Sequence, residues 1–127
     1  MKKPRIFKCN KCGQIVIKII DKDIDIICCG QPMEEVVPGT VDAALEKHVP
    51  VVTFNGNNVL VEVGEVEHPS IPEHYIQEIG IFTKDGMARK ALKPGDKPAA
   101  EFALHEGDEF VEAFAHCNIH GVWESNN

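Results

Sequence analysis

A chain of 127 residues, 43% hydrophobic and 26% charged, can form one ordinary domain or a small metal-stapled unit beside a compact one of about ninety residues. Residues 1–37 carry seven Lys and Arg against five Asp and Glu, a net of +2, and residues 38–127 carry six against fifteen, a net of −9, within an overall −7. That balance argues against a nucleic-acid partner, and no apolar run is long enough to span a bilayer, so a soluble protein with no membrane and no nucleic-acid role is expected.

Met1-Lys2-Lys3-Pro4-Arg5 is charged and runs into only two apolar residues, unlike a signal peptide, which predicts a reducing cytoplasm where disulfides are rare. Four cysteines follow, as Cys9-Asn10-Lys11-Cys12 and, with fifteen residues between, Cys28-Cys29. Four thiolates from two short segments make a tetrahedral sulfur cage suited to iron or zinc, a reading preferred over two structural disulfides. The adjacent pair cannot form the usual two-residue loop, so a splayed tetrahedron is expected. Ile15 to Ile20 and Ile24 to Ile27 are β-branched runs flanking Asp21-Lys22-Asp23. They predict a hairpin with Cys12 on one side of its base and Cys28-Cys29 on the other, closed by the metal.

Pro32, Pro38 and Gly39 predict a linker, and Asp42 to Lys47, opened by Asp42 as a cap, a short helical turn. Strands are predicted at Val49 to Phe54, Val59 to Val63, Tyr75 to Phe82, Met87 to Leu92, Ala99 to Leu104, Phe110 to Ala115 and Val122-Trp123, with turns at Asn55-Gly56-Asn57 and Lys84-Asp85-Gly86. Short strands at this spacing predict an antiparallel sandwich or barrel.

Five further residues can bind a metal: His48, His68, His74, Cys117 and His120. Four imidazoles and one thiolate suit iron, copper or zinc, and five ligands on an ion that accepts six leave one position for a reactant. All five fall at strand ends or in loops, where a rigid sandwich presents a site. Each histidine alone reads more readily as a surface residue. Cys117-Asn118-Ile119-His120 is stronger, because a two-residue gap lets one loop chelate with both ends. His105 and His116 lack such partners and read as background.

These motifs together, Cys9-x-x-Cys12 with Cys28-Cys29, Glu46-Lys47-His48-Val49-Pro50, His68-Pro69 with His74, Lys93-Pro94-Gly95-Asp96, and Cys117-Asn118-x-His120-Gly121 with Trp123, resemble the desulfoferrodoxins, the two-iron superoxide reductases. The resemblance spans nearly the whole chain, with all four amino-terminal cysteines present. It implies a mainly β protein: a small desulforedoxin- or rubredoxin-like metal-bound hairpin domain over 1–37, then an immunoglobulin-like antiparallel β-sandwich carrying the catalytic iron over 38–127. It implies two iron ions per chain and one-electron reduction of superoxide to hydrogen peroxide without oxygen release. Cys117 is then the axial ligand, and His48, His68, His74 and His120 are equatorial. Neutral imidazoles and one thiolate leave ferrous iron a formal charge of +1, which attracts the superoxide anion. Lys47 would guide that anion, and Glu46 would fill the sixth position once the iron is ferric. A rubredoxin or similar reductase as electron donor and a symmetric homodimer are implied by the same likeness. Two other readings stand beside it: a rubredoxin-like electron-transfer protein without catalysis, for which the four-thiolate cage suffices, and a zinc-stabilised interaction module.

Overall fold

The computed structural model describes residues 3–39 and 45–125, and the chain divides into two compact units, Met1–Val37 and Pro38–Asn127. The first contains β1 (Ile6–Lys8), β2 (Ile15–Ile17), β3 (Ile27–Cys28), β4 (Gln31–Pro32) and β5 (Glu34–Glu35). Strand β1 lies between β2 and β5, antiparallel to both, while β3 and β4 form a separate short hairpin.

This corrects the predicted hairpin across Asp21-Lys22-Asp23. Strand β2 ends at Ile17 and pairs with β1, and Ile24 to Ile26 form no strand. Ile19, Ile20 and Ile24 are 83%, 80% and 70% exposed, so their β-branched side chains have no apolar face to bury. Charge holds the segment instead. Arg5 donates through Nε and Nη2 to Asp21 at 2.7 and 3.0 Å, through Nη2 to Asp23 at 2.9 Å, and through Nη1 to Glu35 at 3.2 Å. Lys18 Nζ donates to the Ile24 carbonyl at 2.7 Å. The Arg5 guanidinium holds the Asp21 carboxyl well below the usual carboxylate range. Pro32, expected in a linker, belongs to β4 and pairs with Ile27. The unit's core is small: Phe7, Cys9 and Met33 are buried, with Val16, Ile26 and Cys28 packed on them.

The second unit begins with α1 (Leu45–His48), a single turn shifted one residue beyond the expected end; residues 42–44, where its cap was expected, lie outside the described ones. Then come β6 (Pro50–Asn55), β7 (Asn58–Val63), β8 (Ile76–Thr83), β9 (Met87–Ala91), β10 (Ala99–Ala103), β11 (Phe110–Cys117) and β12 (Gly121–Glu124). They make a three-stranded sheet ordered β10-β7-β6 and a four-stranded sheet ordered β12-β11-β8-β9, antiparallel throughout. The fold is the expected β-sandwich. Inward positions alternate as a pleat requires: Val59, Val61 and Val63 of β7 meet Ile79 and Ile81 of β8, Ala100 and Phe102 of β10, and Ala113 and Ala115 of β11 in one buried cluster. Burying each such branched side chain contributes about 1.5–3 kcal/mol. On the other face of β8 a Cβ at Gly80 would lie 2.3 Å from the Phe114 ring, so only glycine lets that ring cross the strand and stack on Phe82 at 4.9 Å.

Candidate metal centres

In the first unit Cys9 follows β1, Cys12 sits in the turn before β2, Cys28 ends β3 and Cys29 opens the β3–β4 turn. The adjacent pair serves one centre because Cys29 adopts φ +53°, with Gly30 next at +77°. Cys12 Sγ lies 3.6 Å from Cys28 Sγ, and Cys28 Sγ 4.0 Å from Cys29 Sγ. A tetrahedral ion with metal–sulfur bonds of about 2.3 Å needs sulfurs about 3.8 Å apart, which these separations bracket. All four cysteines are free thiols, so the disulfide alternative falls away. Their chemistry is that of a cage awaiting a cation. Backbone N–H groups of Cys12 and Lys11 pull the Cys9 thiol down to about 6, whereas hydrogen bonding with Cys9 and Cys12 pushes Cys28 up to about 12 and Cys29 upward as well. The Cys9 thiolate is stabilised by the fold, and ionising Cys28 and Cys29 beside it calls for a metal.

The second set converges at one end of the sandwich. His48 closes α1, Cys117 ends β11 and His120 lies in the turn before β12. One donor atom from each of His48, His74, Cys117 and His120 lies within 4.8 Å of the others. His48 Nε2 and His120 Nδ1 are 3.0 Å apart, and Cys117 Sγ and His120 Nδ1 are 3.9 Å apart. His68 joins through its ring, 4.8 Å from that of His48 and 4.6 Å from that of His74. His68 is 2% exposed, and its Nδ1 donates to the Pro69 carbonyl at 2.8 Å, which leaves Nε2 as a bare lone pair. The Nε2 atoms of His68 and His74 are both buried and unpartnered. An orphaned buried imidazole nitrogen is costly in a protein without metal and is the expected state of a ligand. Burial holds His68 down to about 4. The same cause lowers His74, reinforced by the charges of His120, His48 and Lys47. Neutral imidazoles are the metal-binding form. With His48, His120 and Cys117 beside them, these two nitrogens belong to a donor set of the kind a transition metal takes.

Around this set stand residues the motif reading did not assign. Trp123 Nε1 donates to the His120 carbonyl at 3.0 Å, and its ring lies 5.0 Å from that of His48. The His120 N–H donates to Cys117 Sγ at 3.4 Å. Gly64, at φ +85°, holds α1 in place: its N–H donates to the Val49 carbonyl at 3.2 Å, and Val66 N–H donates to the Glu46 carbonyl at 2.9 Å. A Cβ at Gly64 would meet the carbonyl oxygens of Val66 and Glu46 at 2.4 and 2.7 Å. No local sequence pattern signals that close approach. Glu46 and Lys47 are exposed on α1, and Lys47 acts on His74 through its charge. His105 is exposed, with Nε2 3.5 Å from Asp85 and 3.7 Å from Asp108, whereas His116 is buried within β11 between Glu78 and Val122.

The desulfoferrodoxin family model matches residues 40–126. A desulfoferrodoxin homologue of Archaeoglobus fulgidus is 45% identical over 121 residues, covering 95% of each chain. The superoxide reductase of Treponema pallidum superposes with a TM-score of 0.82 at 36% identity, over 98% of this chain and 100% of that one. A one-iron superoxide reductase of Giardia intestinalis matches with a TM-score of 0.55 at 34% identity, over 63% of this chain and 95% of its own.

Proposed function

The chain belongs to the desulfoferrodoxin family, and we infer from that premise that it is a superoxide reductase, an oxidoreductase containing iron. The observation that carries the reading is the pair of buried, unpartnered Nε2 atoms on His68 and His74 beside His48, His120 and Cys117. We propose that these five residues hold the reactive iron and that Cys9, Cys12, Cys28 and Cys29 hold the second, in domains 1–37 and 38–127. An iron held by these five residues would supply the single electron that, with two protons, converts superoxide to hydrogen peroxide. The protein's part is to bury the imidazoles of His68 and His74 in their neutral form, place Cys117 beside them with His48 and His120, and leave the remaining position to the anion. Lys47 provides the local cation that draws the substrate in. Glu46, one residue earlier on α1, would offer a carboxylate to that position when no substrate is bound.

A pure electron carrier would need only the four-thiolate cage, and a zinc-stapled module neither the thiolate nor the open position of the second set. Replacement electrons come, in this reading, from a rubredoxin or similar reductase in a reducing cytoplasm. Among the described residues no helix is long and apolar enough to cross a membrane. A symmetric homodimer covering the open strand edges completes the proposal. Protein produced with iron is expected to hold two irons per chain, and the reduced form to consume superoxide, yielding one peroxide and no oxygen per superoxide in pulse radiolysis. Oxygen release at half the superoxide consumed would mean dismutation, and zinc alone in the second set would remove the enzyme.

Lys47 admits a separate test. The surrounding unit carries a net −9, so an approaching superoxide is repelled at long range, and Lys47 is the sole Lys or Arg within three residues of any of the five ligands. Lys47→Ala is expected to slow the bimolecular step about tenfold, the low end of electrostatic steering effects. The wild-type rate is expected to fall as salt rises, since screening sets in over about 8–10 Å at 0.1–0.15 M. In the variant that dependence should vanish or reverse. Equal rates and equal salt slopes in stopped-flow measurements would make Lys47 a bystander.

A further inference from the structure

We propose that Asn118 is a positioning residue that ties the loop carrying His74 to the turn carrying Cys117 and His120, and so fixes the aperture of the five-donor site; the inference rests on the iron reading above. Strand β11 reaches Cys117 through a register shift between His116 and Cys117, where the ladder pairs Cys117 with Ile76 and then ends. Tyr75, one residue beyond that rung, would have its backbone groups exposed at a fraying end. Asn118 satisfies both. Its backbone N–H donates to the Tyr75 carbonyl at 3.2 Å, and its side-chain Oδ1 accepts from the Tyr75 N–H at 3.0 Å. Its Nδ2 donates to the Glu73 carbonyl at 3.1 Å. The side-chain amide thus serves as one more peptide unit in the ladder, and its two bonds, with the backbone one, reach the two residues on either side of His74.

His74 is held from the opposite direction by its reciprocal bonds with Ile71, at 3.0 and 3.1 Å, across the Pro72-Glu73 turn. With both ties in place the His74 and His120 rings stand 5.1 Å apart, a separation across the loop and the turn that is not set by a hydrogen bond between the two rings. Remove the amide, and the Glu73–Tyr75 strip keeps one backbone bond to the turn in place of three bonds. Few other residues can replace it. Aspartate keeps an acceptor for Tyr75 but turns a second oxygen toward the Glu73 carbonyl, and alanine keeps neither contact.

The test uses the full-length, iron-loaded protein and its Asn118→Ala and Asn118→Asp variants. Outer-shell groups that orient ligands change metal affinity by about 10–100-fold, and a tie acting through loops belongs at the lower end. Asn118→Ala is expected to release ferrous iron to a chelator about tenfold faster from the five-donor site alone, with a shifted ferric-thiolate band there and an unchanged four-thiolate spectrum. In metal-free protein the Tyr75 amide hydrogen should exchange faster in Asn118→Ala than in wild type. Asn118→Asp should restore much of that protection yet still release iron faster than wild type; it also serves as the test should the alanine variant fail to fold. Wild-type iron release and wild-type band position in both variants, even with lower thermal stability, would overturn the proposal and leave Asn118 a turn residue. Absence of a ferric-thiolate band at the second site of wild-type protein would instead overturn the iron reading on which the proposal stands.

Discussion

His68→Leu is expected to stabilise the metal-free protein while stripping the reactive site of iron. His68 is buried, its Nδ1 is bonded to the Pro69 carbonyl, and its Nε2 has no partner. Leaving a buried polar atom unsatisfied costs about 1–3 kcal/mol, and a leucine of similar size removes that penalty along with one hydrogen bond. The second consequence has the opposite sign: without this donor iron retention should fall at least about a hundredfold, the upper range for disturbances that spare the ligands themselves. Acid adds a further signature. Burial keeps the folded His68 neutral down to about 4, whereas an unfolded imidazole takes its proton near 6.5. The unfolded wild-type chain therefore binds more protons between those values, and wild-type stability falls as pH drops from about 6.5 toward 4. Leucine does not titrate, so its advantage over wild type should widen through the same window. Thermal melts of chelator-treated protein at pH 7 and pH 5, with iron content after reloading, decide it. A variant that keeps its iron would leave a four-donor site of His48, His74, Cys117 and His120.

Most of this site was legible in the sequence because metal chemistry restricts the residues that can do it. Cys117 and His120 announce themselves by local spacing, and the structure places them 3.9 Å apart at the end of β11. His48, His68 and His74 carry no such signal alone; their place in the set rests on the resemblance of Glu46-Lys47-His48-Val49-Pro50 and His68-Pro69 with His74 to the desulfoferrodoxin motifs. The sandwich strands were legible for a similar reason: Val59, Val61 and Val63 repeat with the period of a half-buried strand. The hairpin of the first unit was misread because Ile19, Ile20 and Ile24 have the composition of a strand without a surface to bury against. What decides that segment is Arg5, bonded to residues 16, 18 and 30 positions away, a relation that no local pattern encodes. Gly64 goes unmarked in the same sense, and Asn118 stands in a motif that gives no sign of its role. Their importance lies in backbone groups brought near them by the fold.

Cys12→Ser or Cys28→Ser is expected to remove the first unit's iron and its fold together, while the second unit keeps both its iron and its reaction. A unit of 37 residues with Phe7, Cys9 and Met33 as its buried core lies below the size, about 40 residues, at which a chain stands without a metal, disulfide or partner. The Arg5 network adds little, since exposed ion pairs contribute about 0–1 kcal/mol each. Metal binding is therefore folding free energy for this unit, and one lost thiolate should melt Ile6–Lys8 and its partner strands. The sandwich has its own continuous core from Val59 to Cys117, and the Giardia intestinalis protein, matching 63% of this chain over 95% of its own, has about the length of that unit. Pre-reduced variant protein should accordingly consume superoxide in a single turnover at the wild-type rate. Hydrogen exchange should show protection lost across residues 6–35 and retained in β7, β8 and β11. Loss of the single-turnover reaction, with iron still bound at the second site, would mean that the four-thiolate centre takes part in the chemistry and that the two units do not divide the labour as proposed.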